Sequence, residues 1–154
     1  MKINLGCCDE PMEGYLNVDL NPLVPGTLPA DAMFLPFKDN SIDEVLASHL
    51  LEHFKIWDVK SALAEWYRVL KPDGIVHIIV PDMTEISKRW ITAPLDWKIN
   101  WWNPAIFGSH RGEGQDHMCG LDRAMLTVVL NEVGFKKIKG RYSHDFWIHM
   151  EGEK

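Results

Sequence analysis

Three groups of side chains carry the chemistry this sequence offers. The first is Leu5-Gly6-Cys7-Cys8-Asp9, where the alternating Ile3 and Leu5 run into a glycine, as a short strand does when it ends in a tight turn whose amides approach a ligand. The second pairs Asp19 with Asp31. Asp19 closes Gly14 to Leu20, read as a second short strand, and a carboxylate there can accept both hydroxyls of a ribose; dinucleotide folds usually place it about 20 residues after the glycine turn, here 13 positions after Gly6. The third group is rich in histidine: Ser48-His49-Leu50-Leu51-Glu52-His53, followed by His110, Arg111 and His117. On a helix His49 and His53, four apart, would share a face and hold zinc with Glu52 as base. Each of these four histidines is also a candidate base near neutral pH, with His53 and His117 placed first, and Arg111 suits an acidic group on a substrate.

These groups need a scaffold, and the sequence writes much of it. The crossover from Gly6 to the second strand is too short for a full helix, and Pro22, Pro25 and Pro29 exclude one from residues 21 to 30. Ala30 to Phe37 is a short apolar element that carries Asp31. Ile42 to Ser48 is a fourth strand that delivers Ser48 and His49 at its end. Ile56, Val59, Leu63, Trp66 and Leu70 recur at helical spacing, with Asp58 to cap the helix and Lys71-Pro72-Asp73-Gly74 to stop it. Ile75 to Val80 is apolar throughout and rich in β-branched residues, as a central parallel strand is, and places His77 in the core. Met83 to Trp90 fits a helix, after which Pro94 and Pro104 interrupt a tryptophan-rich piece with Trp90, Trp97, Trp101 and Trp102. Those indoles either cover the sheet or line a substrate pocket. Gly108, Gly112, Gly114 and Gly120 give the next piece the character of a lid. Asp122 caps a last helix that Gly134 stops, and two strands close the chain, Phe135 to Lys139 and Tyr142 to Met150, with His144 and His149 at the surface.

Composition narrows the class. A chain of 154 residues, 46% hydrophobic and 25% charged, suits one domain spanning 1 to 154, with an insert or lid at about 83 to 120. A net charge of -6 argues against neutralising the phosphates of a nucleic acid, so a small-molecule or protein acceptor is expected. No segment reads as a signal peptide or membrane span, and three cysteines make no disulfide framework, which points to the cytoplasm.

Taken in order, the pieces resemble a known family. Ile3-Asn4-Leu5-Gly6-Cys7-Cys8, Gly14-Tyr15-Leu16-Asn17-Val18-Asp19, Asp31-Ala32 with Leu35-Pro36-Phe37, Asp39-Asn40-Ser41-Ile42-Asp43, Ala47 to His53, Glu65-Trp66-Tyr67-Arg68-Val69-Leu70-Lys71-Pro72-Asp73-Gly74 and Val80-Pro81-Asp82 are similar to the short class I S-adenosylmethionine-dependent methyltransferases. Phe107-Gly108, His117 and Val133-Gly134-Phe135 resemble the C-terminal part of that family. The resemblance implies an α/β fold, a Rossmann-like doubly wound, mostly parallel sheet with an antiparallel C-terminal strand and the early helices truncated. It also implies a cofactor site for S-adenosylmethionine, with S-adenosylhomocysteine as product, at Leu5, Gly6, Cys7, Cys8, Asp19, Leu20, Asp31, Ala32, Ser48 and His49. Asp19 would take the ribose, and Asp31 and Ala32 the adenine. His53 and His117 would serve catalysis, His110, Arg111 and Trp101 would face the substrate, and a methyl group would pass to oxygen or nitrogen with no metal. A binding or partner subunit without turnover is the alternative.

Two expectations follow from departures. The family has glycine where this chain has Cys8, and the preferred reading is that Cys8 adopts ordinary dihedrals in a short loop. The missing early helices leave part of the sheet bare, so either the tryptophan-rich insert folds over it or a second copy of the chain does, as a homodimer. The same order of pieces sets aside zinc at His49 and His53.

Overall fold

The computed structural model describes residues 1–8, 10–110, 114–144 and 146–154, with the backbone only at 143 and 144. Seven strands form one sheet: β1 (Lys2–Leu5), β2 (Leu16–Asp19), β3 (Leu28–Pro29), β4 (Ile42–Ser48), β5 (Leu70–Pro81), β6 (Lys136–His144) and β7 (Trp147–Glu153), in the order β3-β2-β1-β4-β5-β7-β6. The first five run parallel, and β7 pairs antiparallel with β5 and β6. This is the Rossmann-like sheet expected, with its antiparallel C-terminal strand. Because β2 and β4 flank β1 on opposite sides, the chain reverses direction at β1/β4, and such a switch point opens a crevice at the strands' carboxyl ends.

The early crossovers are loops, as the prolines predicted. Regular helices begin at α1 (Val59–Val69) and continue with α2 (Met83–Thr92), α3 (Leu95–Trp97), a π-helical turn at Lys98–Trp102, α4 (Asn103–Phe107) and α5 (Arg123–Val133). The core lies between the sheet and α1 with α5. Ile3, Leu5, Val45, Ala47, Val76, Ile78 and Val80 meet Leu63, Trp66, Leu126 and Leu130 there, all fully buried. Each large side chain so removed from water contributes about 1.5–3 kcal/mol.

Several boundaries differ from the sequence reading. The helix ends at Val69, and Leu70 already belongs to β5, so Lys71 to Gly74 form a bulge between Ile42↔Leu70 and Glu44↔Ile75 rather than a stop. Asp58 stands at the N-cap without a side-chain cap bond, and Ile56 lies outside the helix, exposed. Residues 30 to 37 form turns after a two-residue β3. The last turn falls after His144, so both final strands are shifted toward the C-terminus. Asp122 does cap α5, accepting from Met125 N at 2.9 Å, and Gly134 ends that helix with φ 117°; Asp82, which the sequence reading did not single out as a cap, caps α2 by accepting from Glu85 N at 3.0 Å.

The other face of the sheet carries Lys2, Asn4, Glu44, Leu46, Ile75, His77 and Ile79 from β1, β4 and β5, with His149 and Glu151 from β7. The tryptophan-rich insert does not roof it. Helices α2 and α4 and the π turn pack on one another, Trp97 and Trp101 remain exposed, and Trp102 is buried edge-on against Phe146, 5.0 Å between centroids.

Candidate functional site

The site is built at the carboxyl ends of β1, β2 and β4. Gly6 leaves β1 with φ 64° and donates its amide to Val18 O at 2.8 Å; a Cβ here would meet Leu50 Cδ1 at 2.7 Å, so any other residue would have to push Leu50 aside as well as hold a left-handed backbone. Cys8 then takes φ 46°, a left-handed conformation. This corrects the expectation of ordinary dihedrals: the position is one that favours glycine, and a Cβ there costs about 1–2 kcal/mol. Asp19 holds the turn. Its Oδ2 accepts from Cys8 N at 2.8 Å and its Oδ1 from Asn21 N at 2.9 Å, so one buried carboxylate ties both loops leaving the sheet. Each oxygen retains a second lone pair, so the carboxylate has capacity left for the two hydroxyls of a ribose. Cys7 is buried, which raises its thiol pKa, with Asp19 adding to the effect. Leu20 projects outward, largely exposed.

Asp31 lies two residues beyond Pro29, the register partner of Asp19, and Ala30 N donates to Asp19 O at 3.0 Å. The two acids therefore stand on adjacent strand ends. Asp31 Oδ1 accepts from Met33 N at 2.8 Å, and Ala32 O accepts from the Trp66 indole at 2.9 Å. Sequence reasoning missed what fixes this loop. Glu65 Oε1 accepts from Leu35 N at 2.7 Å, while Arg68 donates to Glu65, to Asp39 at 2.6 Å and to the carbonyls of Leu35 and Phe37. Hydrogen bonds to Glu65 and Asp39 raise the Arg68 pKa, and Arg68 in turn holds Glu65 below its ordinary value. The spacing Glu65-x-x-Arg68 on one helical face was the available signal.

Across the crevice Ser48 ends β4 and His49 turns the chain with φ 53°, its amide on Ile79 O at 2.8 Å. The His49 ring lies edge-on to Trp147 at 4.5 Å and 3.3 Å from Glu52 Oε1. Only Leu51–His53 is helical, a single 3-10 turn, so His49 and His53 do not share a helical face as the zinc spacing required. His53 instead bonds Asp116 O at 2.9 Å and meets the His117 ring edge-on at 5.0 Å. Glu52 is 2% exposed; its Oε2 and Trp102 Nε1 are buried without a partner among the described residues. Ligand atoms of Glu52, His53 and His117 all lie within 4.8 Å of one another.

Burial lowers the His117 pKa, Glu52 pulls the other way, and His53 lowers it further; the imidazole is thus neutral and able to accept a proton at pH 7. Burial, with Glu52 adding, pushes the Cys119 thiol up to about 11. Of the substrate candidates, His110 is exposed and paired with Asp116 Oδ1 at 2.6 Å, and Trp101 is 66% exposed with its ring 6.5 Å from Trp97. His110 and His53 share Asp116, the one through its carboxylate and the other through its carbonyl, whereas the ring contact of Trp101 is with Trp97. Arg111 lies outside the described residues, as do Asp9, Gly112 and Glu113. Ser87, Trp90, Ile91, Ile106 and Phe107 line a separate apolar hollow of about 310 Å³ between α2 and α4.

With this geometry in place, the likeness to known proteins has a structural counterpart. Residues 14–78 match a family described as the methyltransferase domain. A 47-residue stretch is 45% identical to an uncharacterized protein of Haemophilus influenzae, and 46 residues are 52% identical to the mitochondrial arginine-hydroxylase NDUFAF5 of Danio rerio; each covers 30% of this chain, and 19% and 14% of those proteins. The matched stretches thus span less than a fifth of either relative. Among solved structures, a SAM-dependent methyltransferase from Archaeoglobus fulgidus superposes with TM-score 0.69 at 15% identity, covering 99% of this chain and 85% of that one. The 1,6-didemethyltoxoflavin-N1-methyltransferase of Burkholderia thailandensis, bound to its substrate and S-adenosylhomocysteine, gives 0.67 at 14% identity over 99% and 70%. The fold is that of the class I methyltransferases, and the resemblance read in the sequence holds: the family matches residues 14–78, and the likeness in fold runs the length of the chain.

Proposed function

We propose that the chain is a single methyltransferase domain that binds S-adenosylmethionine in the β1/β4 crevice and passes a methyl group to oxygen or nitrogen of a small-molecule or protein acceptor, releasing S-adenosylhomocysteine. The observation that carries this is Asp19, fixed by Cys8 and Asn21 amides beside the Gly6 turn, with Asp31 on the adjoining strand end. Those residues fit a nucleoside: Asp19 for the ribose, Asp31 and the Ala32 amide for the adenine, and the Leu5 to Cys8 turn for the methionine portion. The bound cofactor would supply an activated methyl on a sulfonium. The chain would do the rest, through alignment, exclusion of water and removal of a proton. Ser48 and His49 border the reacting end, and His117, neutral and next to His53, takes the acceptor's proton. Trp101, His110 and Arg111 remain the candidates for substrate contact.

Calorimetric titration with S-adenosylmethionine tests the reading, with Asp19→Ala as control; wild-type protein that binds no better than the variant ends it. A second reading, binding without turnover, is favoured by the left-handed Cys8, which strains the turn. A methyl-acceptor screen on protein that binds the cofactor separates the two.

We keep a cytoplasmic setting and self-association within this proposal. Among the described residues no helix is long and apolar enough to cross a membrane. The charged and polar side chains interleaved with Leu46, Ile75 and Ile79 on the bare sheet face reduce the apolar motive for pairing there. Exposed apolar side chains gather on the insert instead, at Ile91, Leu95, Trp97, Ile99, Trp101 and Phe107, and a second copy would pack against these. Light scattering that shows a monomer at high concentration rejects the homodimer.

A further inference from the structure

The bare sheet face brings together three side chains that the reaction does not use. His77 points outward from the middle of β5, and His149 and Glu151 stand two apart on the same face of β7, which pairs with β5. His77 Nδ1 and His149 Nε2 are 3.1 Å apart, and Glu151 Oε1 is 3.8 Å from each. The nearest point equidistant from those atoms, in their common plane, lies about 2.1 Å from each, so an ion at zinc–imidazole or zinc–carboxylate bond length reaches all three from that plane. The side chains are partly shielded, 20%, 13% and 31% exposed, so an ion there would be reachable yet screened. This also revises the sequence reading: His77 is not a core residue, and His149 is half-buried rather than at the surface.

We propose that His77, His149 and Glu151 form a binding site for a divalent ion of the zinc class, with a fourth position open on the bare face. Two imidazoles and one carboxylate from adjacent strands are a donor set such ions take. Outer partners are present as well. Glu44 Oε1, which accepts from the Tyr15 hydroxyl, lies 3.8 Å from His77 Nε2, and Glu44 Oε2 pairs with Lys2 at 2.7 Å; the carboxylate so placed favours the proton on Nε2 and leaves the Nδ1 lone pair for the ion. Arg141 does the opposite at His149. It donates to Nδ1 at 3.1 Å and so favours the proton on Nε2, the atom that would ligate, and it lies 3.5 Å from Glu151 Oε1. Loading the site therefore requires Arg141, 70% exposed, to swing away. Arg141 acts as a guard that weakens the site, a role with a measurable sign.

The test is titration of chelator-stripped protein with Zn²⁺, with Co²⁺ as a spectroscopic substitute. One ion per chain is expected, with cobalt absorption typical of nitrogen and oxygen ligands. His149→Gln and Glu151→Gln, two independent changes at partly exposed positions, each weaken binding by roughly 100-fold or more. Arg141→Ala tightens it severalfold, while His117→Gln leaves it unchanged. Absence of stoichiometric binding, retention in both ligand variants, loss in His117→Gln, or cobalt–thiolate bands assigning the ion to Cys7 and Cys8 would each overturn the proposal.

Discussion

The two faces of one sheet make opposite bargains with water. On the side under α1 and α5, Ile3, Leu5, Val45, Ala47, Val76, Ile78 and Val80 are aliphatic and dry. On the other, the alternate positions read Lys2, Asn4, Glu44, Leu46, Ile75, His77 and Ile79, and hydrogen bonds replace helices: Asn4 to Asn17 at 2.9 Å, Tyr15 to Glu44, His77 to His149. A sheet whose early crossovers have shrunk to loops lessens the penalty of an uncovered apolar face by interleaving Leu46, Ile75 and Ile79 with polar and charged side chains. The crevice lies at the strand ends, where Asp19 ties the loops leaving β1 and β2.

Breaking the covered side should therefore have the largest effect. Trp66→Ala removes a fully buried indole that also donates to Ala32 O, and should cost about 3–5 kcal/mol in denaturant unfolding and loosen the Asp31 loop; a loss under 1 kcal/mol would mean the two faces contribute alike. Next comes Asp19→Ala, which frees the Cys8 and Asn21 amides and should weaken S-adenosylmethionine binding at least about tenfold, roughly 1.4 kcal/mol. Cys8→Gly relieves a left-handed residue and should stabilise the chain by about 1 kcal/mol in the same unfolding assay, with cofactor affinity unchanged or improved.

The pH dependence sharpens the contrast within the site. His117 has a folded pKa below its ordinary 6.5, so the unfolded chain binds more protons just below that value and stability rises with pH through the window. Acidifying from pH 7 through 6.5 should lower the unfolding midpoint, and His117→Gln should flatten that slope; transfer activity should fall in the same direction. The smallest change is expected on the bare face. Ile75→Thr, partly exposed there, should shift stability by no more than about 0.5 kcal/mol in thermal melts, whereas the same substitution at Ile78 on the covered face should cost several times that.

Much of the fold was legible because local chemistry writes it. Ile42 to Ser48 is β4 residue for residue, Asp122 caps its helix as read, and prolines exclude early helices. The helix over Val59 to Val69 was read too generously at both ends, taking in Ile56 and Leu70; Leu70 satisfies helical spacing and strand pairing equally well, and its pairing with Ile42 decided. At the site, the glycine turn and both acids were visible as residue types. Glu65 and Arg68 were not seen as the clamp on the Asp31 loop, because their partners are main-chain groups 30 or so residues away.

Sequence alone determined which residues could do chemistry and on which strand ends they stand, since turn residues, capping and apolar periodicity act over a few neighbours. Tertiary structure decided their states: Cys8 left-handed because Asp19 draws in its amide, His117 neutral because packing dries it, His77 beside His149 because β7 runs antiparallel against β5. Each of those depends on contacts across tens of residues, and no spacing along a chain encodes which partner a strand will choose.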